Sequence, residues 1–265
     1  MSKLRVGIVN FLNSKPLAWG FLKGRHADLF EASYLPPAQV ADRLRSGALD
    51  VGLIPAIEVQ RIPGLRVVPD LCVAAEHEVR SVLLVLGRPL AEVRRVALDL
   101  NSRTSAGLVK ILLADRYGLH PEYVPAHPDL EQMLAQADAA LVIGDPALKV
   151  DRERYQILDL AAEWRALTGH PAVFAVWAVQ PHVSLPNLTH YLKSSLLFGL
   201  SSMAELVEES AAELELPEAE VEQYLTKSLH YFLRDEELAS LKEYYRRAHA
   251  HGLIEAPREL ALWAA

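Results

Sequence analysis

Short apolar runs alternate with longer stretches of helical period along this chain, and they do so twice in the same order. That alternation demands a sheet with helical crossovers. The first series has a strand over 4–9 and a helix opened by Pro16, with Leu17 and Phe21 four apart on one face. A strand near 31–34 follows, then helical turns over 37–46 that Gly47 ends, and a strand over 49–54. Further strands are expected over 65–68 and 79–86. The second series has strands over 96–98, 122–124 and 139–143, separated by helices over 106–117 and 130–137. A βαβαβ order thus appears before residue 86 and again between 93 and 143. A strand over 174–179 returns from the second unit. The remainder is helical, over 188–207 in broken form, 218–231 and 235–249, with Gly252 as the stop.

At 265 residues the chain is near the size at which one core divides into two. The reading is therefore an α/β protein of two lobes with a ligand cleft between them. Residues 1–87 plus 175–265 form the first lobe and residues 88–174 the second. The chain crosses between lobes near 86–89 and again near 174–179.

A net charge of −7 argues against nucleic acid, which needs a basic footprint. It also means that local dipoles and a few cations must hold any anionic ligand. Cys72 is the single cysteine, so disulfides and cysteine metal clusters have no basis; its apolar neighbours read as core. The amino terminus has too short an apolar run for a secretory leader, and no stretch is long and apolar enough to span a bilayer. A cytoplasmic protein without a membrane partner is expected.

In open α/β sheets the ligand sits beyond the carboxyl ends of the strands, and polar clusters fall at those points. Asn13-Ser14-Lys15-Pro16 follows the first strand, Ser102-Arg103-Thr104-Ser105 the first strand of the second unit, and Asp145 its last strand. Ser81 stands near the start of another strand. The hydroxyls of Ser102, Thr104 and Ser105 at a helix start suit a carboxylate or phosphate, or else Ser102 or Thr104 caps its own helix; both can hold together. No glycine-rich phosphate loop follows a strand, which leaves nucleotide cofactors unsupported. The ten histidines show no metal-binding spacing, and His77 sits between two glutamates. No G-x-S-x-G elbow occurs.

Taken in order, several segments resemble the menaquinone-biosynthesis family of the futalosine route, and within it the chorismate dehydratases. They are Asn10-Phe11-Leu12-Asn13-Ser14-Lys15-Pro16-Leu17, the run from Gly47 to Pro55, Val79-Arg80-Ser81-Val82, Ser102-Arg103-Thr104-Ser105, Leu141-Val142-Ile143-Gly144-Asp145, Asp159-Leu160 through Trp164, Thr168-Gly169 and Phe174-Ala175-Val176-Trp177. The resemblance implies a fold like the type-2 periplasmic binding proteins, used inside the cell. It implies a hydro-lyase that converts chorismate to 3-[(1-carboxyvinyl)oxy]benzoate and water, with no metal and no organic cofactor. Asn13 would be the catalytic residue that places the substrate, and Ser14, Ser81, Ser102, Thr104, Ser105 and Asp145 would bind it. The alternatives are the sister enzyme, 1,4-dihydroxy-6-naphthoate synthase, and a non-catalytic domain that binds a small anion.

Overall fold

The structure, a computed structural model, describes residues 3–264; residues 1, 2 and 265, at the ends of the expected first lobe, lie outside the described residues. The strands in chain order are β1 (Leu4–Val9), β2 (Phe30–Leu35), β3 (Val51–Pro55), β4 (Arg66–Ala75), β5 (Val82–Leu86), β6 (Arg95–Asp99), β7 (Glu122–Ala126), β8 (Ala139–Ile143), β9 (Gln156–Asp159) and β10 (Ala172–Val179). The helices are α1 (Lys15–Leu22), α2 (Pro37–Arg45), α3 (Glu58–Arg61), α4 (Thr104–Asp115), α5 (Leu130–Gln136) and α6 (Asp145–Leu148), followed by α7 (Leu160–Thr168), α8 (Leu188–Ser201), α9 (Met203–Leu214), α10 (Glu218–Gln223) and α11 (Asp235–Ala250).

The strands form two five-stranded sheets, in the orders β2-β1-β3-β10-β4 and β7-β6-β8-β5-β9. Each has three parallel strands from its own βαβαβ unit. The fourth position is taken by an antiparallel strand from the other side of the chain: β10 pairs with β3 and β4, and β5 pairs with β8 and β9. β5 and β8 are buried along their whole length, as their unbroken apolar sequences require of strands covered on both faces. Pro125 is tolerated because β7 is an edge strand.

This exchange shifts the expected lobe boundaries. The sequence predicts a crossing near 86–89, with 79–86 in the first lobe. By hydrogen bonding β5 belongs to the second sheet, and the chain crosses between Ala75 and Val82. The return lies between Thr168 and Ala172, just before the expected strand. A run apolar on both faces fits either sheet, so its pattern cannot assign it. The first crossing is pinned by the Asp159 carboxylate, which accepts N–H groups from Val79 at 3.1 Å and Arg80 at 2.7 Å while capping α7 through Ala161 and Ala162. Arg80 itself adopts a left-handed φ of 64° there.

Other differences are local. β4 runs on to Ala75, past the strand expected over 65–68, because a bulge absorbs Pro69 and Asp70, the latter at a φ of 65°. β9 and α7 are absent from the expected element list. The helix expected over 218–231 ends early: Tyr224–Ser228 forms a π turn, and His230 bridges to Ala74 as extended chain. Cys72 is fully buried in β4. The carboxy-terminal helices cover the first sheet. α8 packs on α1 so closely that a Cβ on Gly199 would meet the Pro16 carbonyl, and Ser195 receives the Gly20 N–H at 3.0 Å while donating to the Leu17 carbonyl at 2.7 Å. α11 lies against both β10 and α4, so it touches elements of both lobes. Among the described residues no helix is long and apolar enough to cross a membrane.

Candidate active site

Residues at or just beyond the ends of β1, β3, β6 and β8 line one cavity between the sheets, with about 490 Å³ of empty space including its mouth. Its walls are apolar: Val9, Leu53 and Phe174 from the first lobe, Val82 and Ile143 from the second. Polar groups sit at two places. Asn13, on the single turn Leu12–Ser14 after β1, comes from the first lobe. Asn101, Ser102, Thr104 and Ser105, at the start of α4, come from the second. No side chain caps α4, so the donors of its first turn and its positive end stand at the cavity. Thr104 Oγ1 accepts the Ile57 N–H from across the cleft at 3.3 Å. Among the described residues, the lining includes no carboxylate and no imidazole.

The lobes are closed on one another by further contacts. The Leu12 N–H donates to Asp145 Oδ1 at 2.9 Å. The Phe11 ring lies on Gly144, whose φ is 67°, and a Cβ there would come within 2.7 Å of the ring. Arg103, the one charged residue of the lining, turns its guanidinium to Asp42 at 2.7 Å and Glu58 at 3.0 Å in the first lobe. Glu58 has no exposed surface and also pairs with Arg45 and Arg61. Burial raises the Asp145 carboxyl to about 6, against the lowering effects of the Leu12 N–H and Lys15.

A family model described as menaquinone biosynthesis matches residues 4–250. The chain belongs to the menaquinone biosynthesis family. It is 29% identical to a Thermus thermophilus protein named chorismate dehydratase, over 95% of this chain and 96% of that one. In structure it is similar to a protein of Archaeoglobus fulgidus, with a TM-score of 0.77 at 16% identity, covering 95% of this chain and 98% of that one. It is also similar to the alkanesulfonate-binding protein SsuA from Xanthomonas axonopodis pv. citri bound to MOPS, with a TM-score of 0.73 at 18% identity, covering 100% and 99% of the two chains. Both likenesses bear on the fold, which is the two-lobed periplasmic-binding-protein-like architecture that the resemblance implies.

Within this family member the seven expected site residues divide. Asn13, Ser102, Thr104 and Ser105 meet in the cavity. Ser14, Ser81 and Asp145, also expected to bind substrate, are not among its lining residues. The Ser14 hydroxyl is buried under its own turn, directed at the carbonyls of Val9 and Phe11. Ser81 has no exposed surface and accepts the Tyr224 hydroxyl at 2.6 Å. Asp145 is occupied by the Leu12 backbone. His77 is exposed and does not line the cavity. Among the described residues no group of three potential metal ligands occurs.

Sequence reasoning missed Glu58 and Tyr224. Glu58 follows β3 at the same carboxyl-end position as the other clusters, and an acid three residues past Pro55 was the available signal. Tyr224 had none: it opens the π turn, and its hydroxyl reaches Ser81 in the other lobe.

Proposed function

We propose that this chain is a hydro-lyase that removes water from chorismate to give 3-[(1-carboxyvinyl)oxy]benzoate. The observation that carries the proposal is the cavity in which Asn13 of one lobe faces the uncapped, hydroxyl-rich start of α4 in the other. Membership of the menaquinone biosynthesis family and likeness to a protein named chorismate dehydratase supply the substrate.

Chorismate is a small dicarboxylate whose ring is otherwise largely apolar. The start of α4, with Ser102, Thr104 and Ser105, would take the ring carboxylate, and the apolar walls would take the ring. The ring hydrogen on the ether-bearing carbon is vinylogous to that carboxylate. Its removal delivers charge to the carboxylate oxygens, where fixed donors stabilise the developing anion. The carbon–oxygen bond to the neighbouring hydroxyl then breaks, the ring becomes aromatic, and proton and hydroxide leave as water. Oxidation state is unchanged and no external electron acceptor is needed. The family resemblance implies that the substrate's own enolpyruvyl carboxylate takes the proton, and Asn13 would hold the substrate in the conformation that lets it reach.

Purified protein incubated with chorismate and no added cofactor should yield a product lighter by one water, with an aromatic absorption band. Chorismate recovered intact at stoichiometric protein would overturn the proposal. Tight binding without turnover would leave a small-anion-binding domain in its place.

A further inference from the structure

We propose that Asp145 is a positioning residue, which seats Asn13 by holding the Leu12 N–H across the cleft. This rests on the activity proposed above for the same site. Asp145 belongs to the second lobe, one residue beyond the Gly144 corner that ends β8. Leu12 belongs to the first lobe and opens the three-residue turn that carries Asn13. Their 2.9 Å hydrogen bond therefore forms between lobes and exists only while the cleft is shut.

Three features make this contact a seat and not an incidental touch. The Leu12 side chain is fully buried, so the turn is anchored on its inner side, while its leading N–H finds its acceptor in the other lobe. The Ser14 N–H and hydroxyl are taken up by the Phe11 and Val9 carbonyls, which makes the turn one small rigid unit; moving Leu12 moves Asn13. Gly144 lets the Phe11 ring come down beside Asp145, and any side chain there would hold the turn away. Asn13, Phe11 and Gly144 line the same cavity, so the seat lies at its edge. An opened cleft would leave the Leu12 N–H without this acceptor and the turn held from the first lobe alone. Displacements of about 1 Å at a positioning group can cost on the order of a hundredfold in rate.

The test compares Asp145→Ala with Asp145→Asn, which keeps a carbonyl oxygen as acceptor. In the ligand-free protein, amide exchange at Leu12 should quicken at least about fivefold in the alanine variant and stay near wild type in the asparagine variant. With chorismate, kcat should fall at least about tenfold in the alanine variant, with KM moving less than about threefold, and asparagine should restore most of kcat. A purely structural Asp145 would instead lower the melting temperature and leave kcat of the folded protein unchanged. Unchanged Leu12 exchange in the alanine variant overturns the proposal. So does an asparagine variant as impaired as alanine, because charge and not the acceptor would then be required. If wild-type protein leaves chorismate untouched, the activity reading fails, while Leu12 exchange still decides whether Asp145 holds the turn.

Discussion

The hydroxyl of Tyr244 donates to the main-chain carbonyl of Thr104 at 2.9 Å, and its neighbour Tyr245 donates to the carbonyl of Ala56 at 2.8 Å. Consecutive residues of α11 thus hold the start of α4 in one lobe and the loop after β3 in the other. Both rings are buried, and a Cβ on Gly107 would meet the Tyr244 hydroxyl at 2.5 Å. Tyr244→Phe leaves a buried carbonyl short of its donor. It should cost about 1 kcal/mol, roughly 2–4 °C of melting temperature, read by calorimetry. An unchanged melting temperature would mean that water replaces the hydroxyl.

Thr104→Val keeps the volume and removes the hydroxyl. Turnover of chorismate, as kcat/KM, should fall about tenfold to a hundredfold, the scale of one charge-assisted hydrogen bond. Ser14→Ala is the contrast, because that hydroxyl serves only its own turn. It should lower the melting temperature slightly and leave kcat/KM within about threefold. The reverse ranking in a steady-state assay would put Ser14, not Thr104, at the substrate.

Glu58→Ala should be strongly destabilising. The buried carboxylate has Arg45, Arg61 and Arg103 around it, and its removal leaves three guanidinium groups facing each other with only Asp42 nearby. About 3 kcal/mol is the scale for breaking such a buried network, seen in urea unfolding as a lower midpoint at constant slope. A midpoint within error of wild type would show that the arginines simply turn to solvent.

Stability should depend on pH through Asp145. Its carboxyl is raised from 3.8 to about 6 by burial, so the folded state binds a proton more readily than the unfolded one. Its contribution is therefore most favourable below about 4 and is lost as pH rises through 6. Asp145→Asn, which stays neutral, should be more stable than wild type at pH 8 by about 1 kcal/mol, and the difference should shrink as pH falls from 7 to 4. Melting curves across that range check this; a difference independent of pH would mean that Asp145 is well hydrated.

Most of the parallel strands and the two-unit plan are legible in the sequence because their period and their stop residues are local. Sheet membership is not. Nothing inside 82–86 says that it pairs with 139–143 and not with the strand before it. The site was half legible for a related reason. Position after a strand end brings Asn13 and Thr104 to the cleft, yet one residue further on the side chain turns away, as at Ser14, or finds a backbone partner, as Asp145 finds Leu12. Polar residue type marks the right loops without saying which members face the ligand. Tyr224 and Tyr244 act from helices far along the chain, where no motif marks them.

The strand exchange has a consequence for how the protein is made. β10 lies between β3 and β4, pairing Ala175 with Pro55 and Val173 with Ala74. While the ribosome is still adding the second lobe, β3 and β4 have no strand between them, and each presents an unpaired apolar edge. The second sheet, by contrast, has all five of its strands once residue 159 has emerged. The order of synthesis therefore favours completion of the inserted lobe first, after which the return strand closes the other. Such long-range pairing slows folding and leaves aggregation-prone edges open for that interval. A chain stopped just before Ala172 should fold its second lobe and leave its first unfinished.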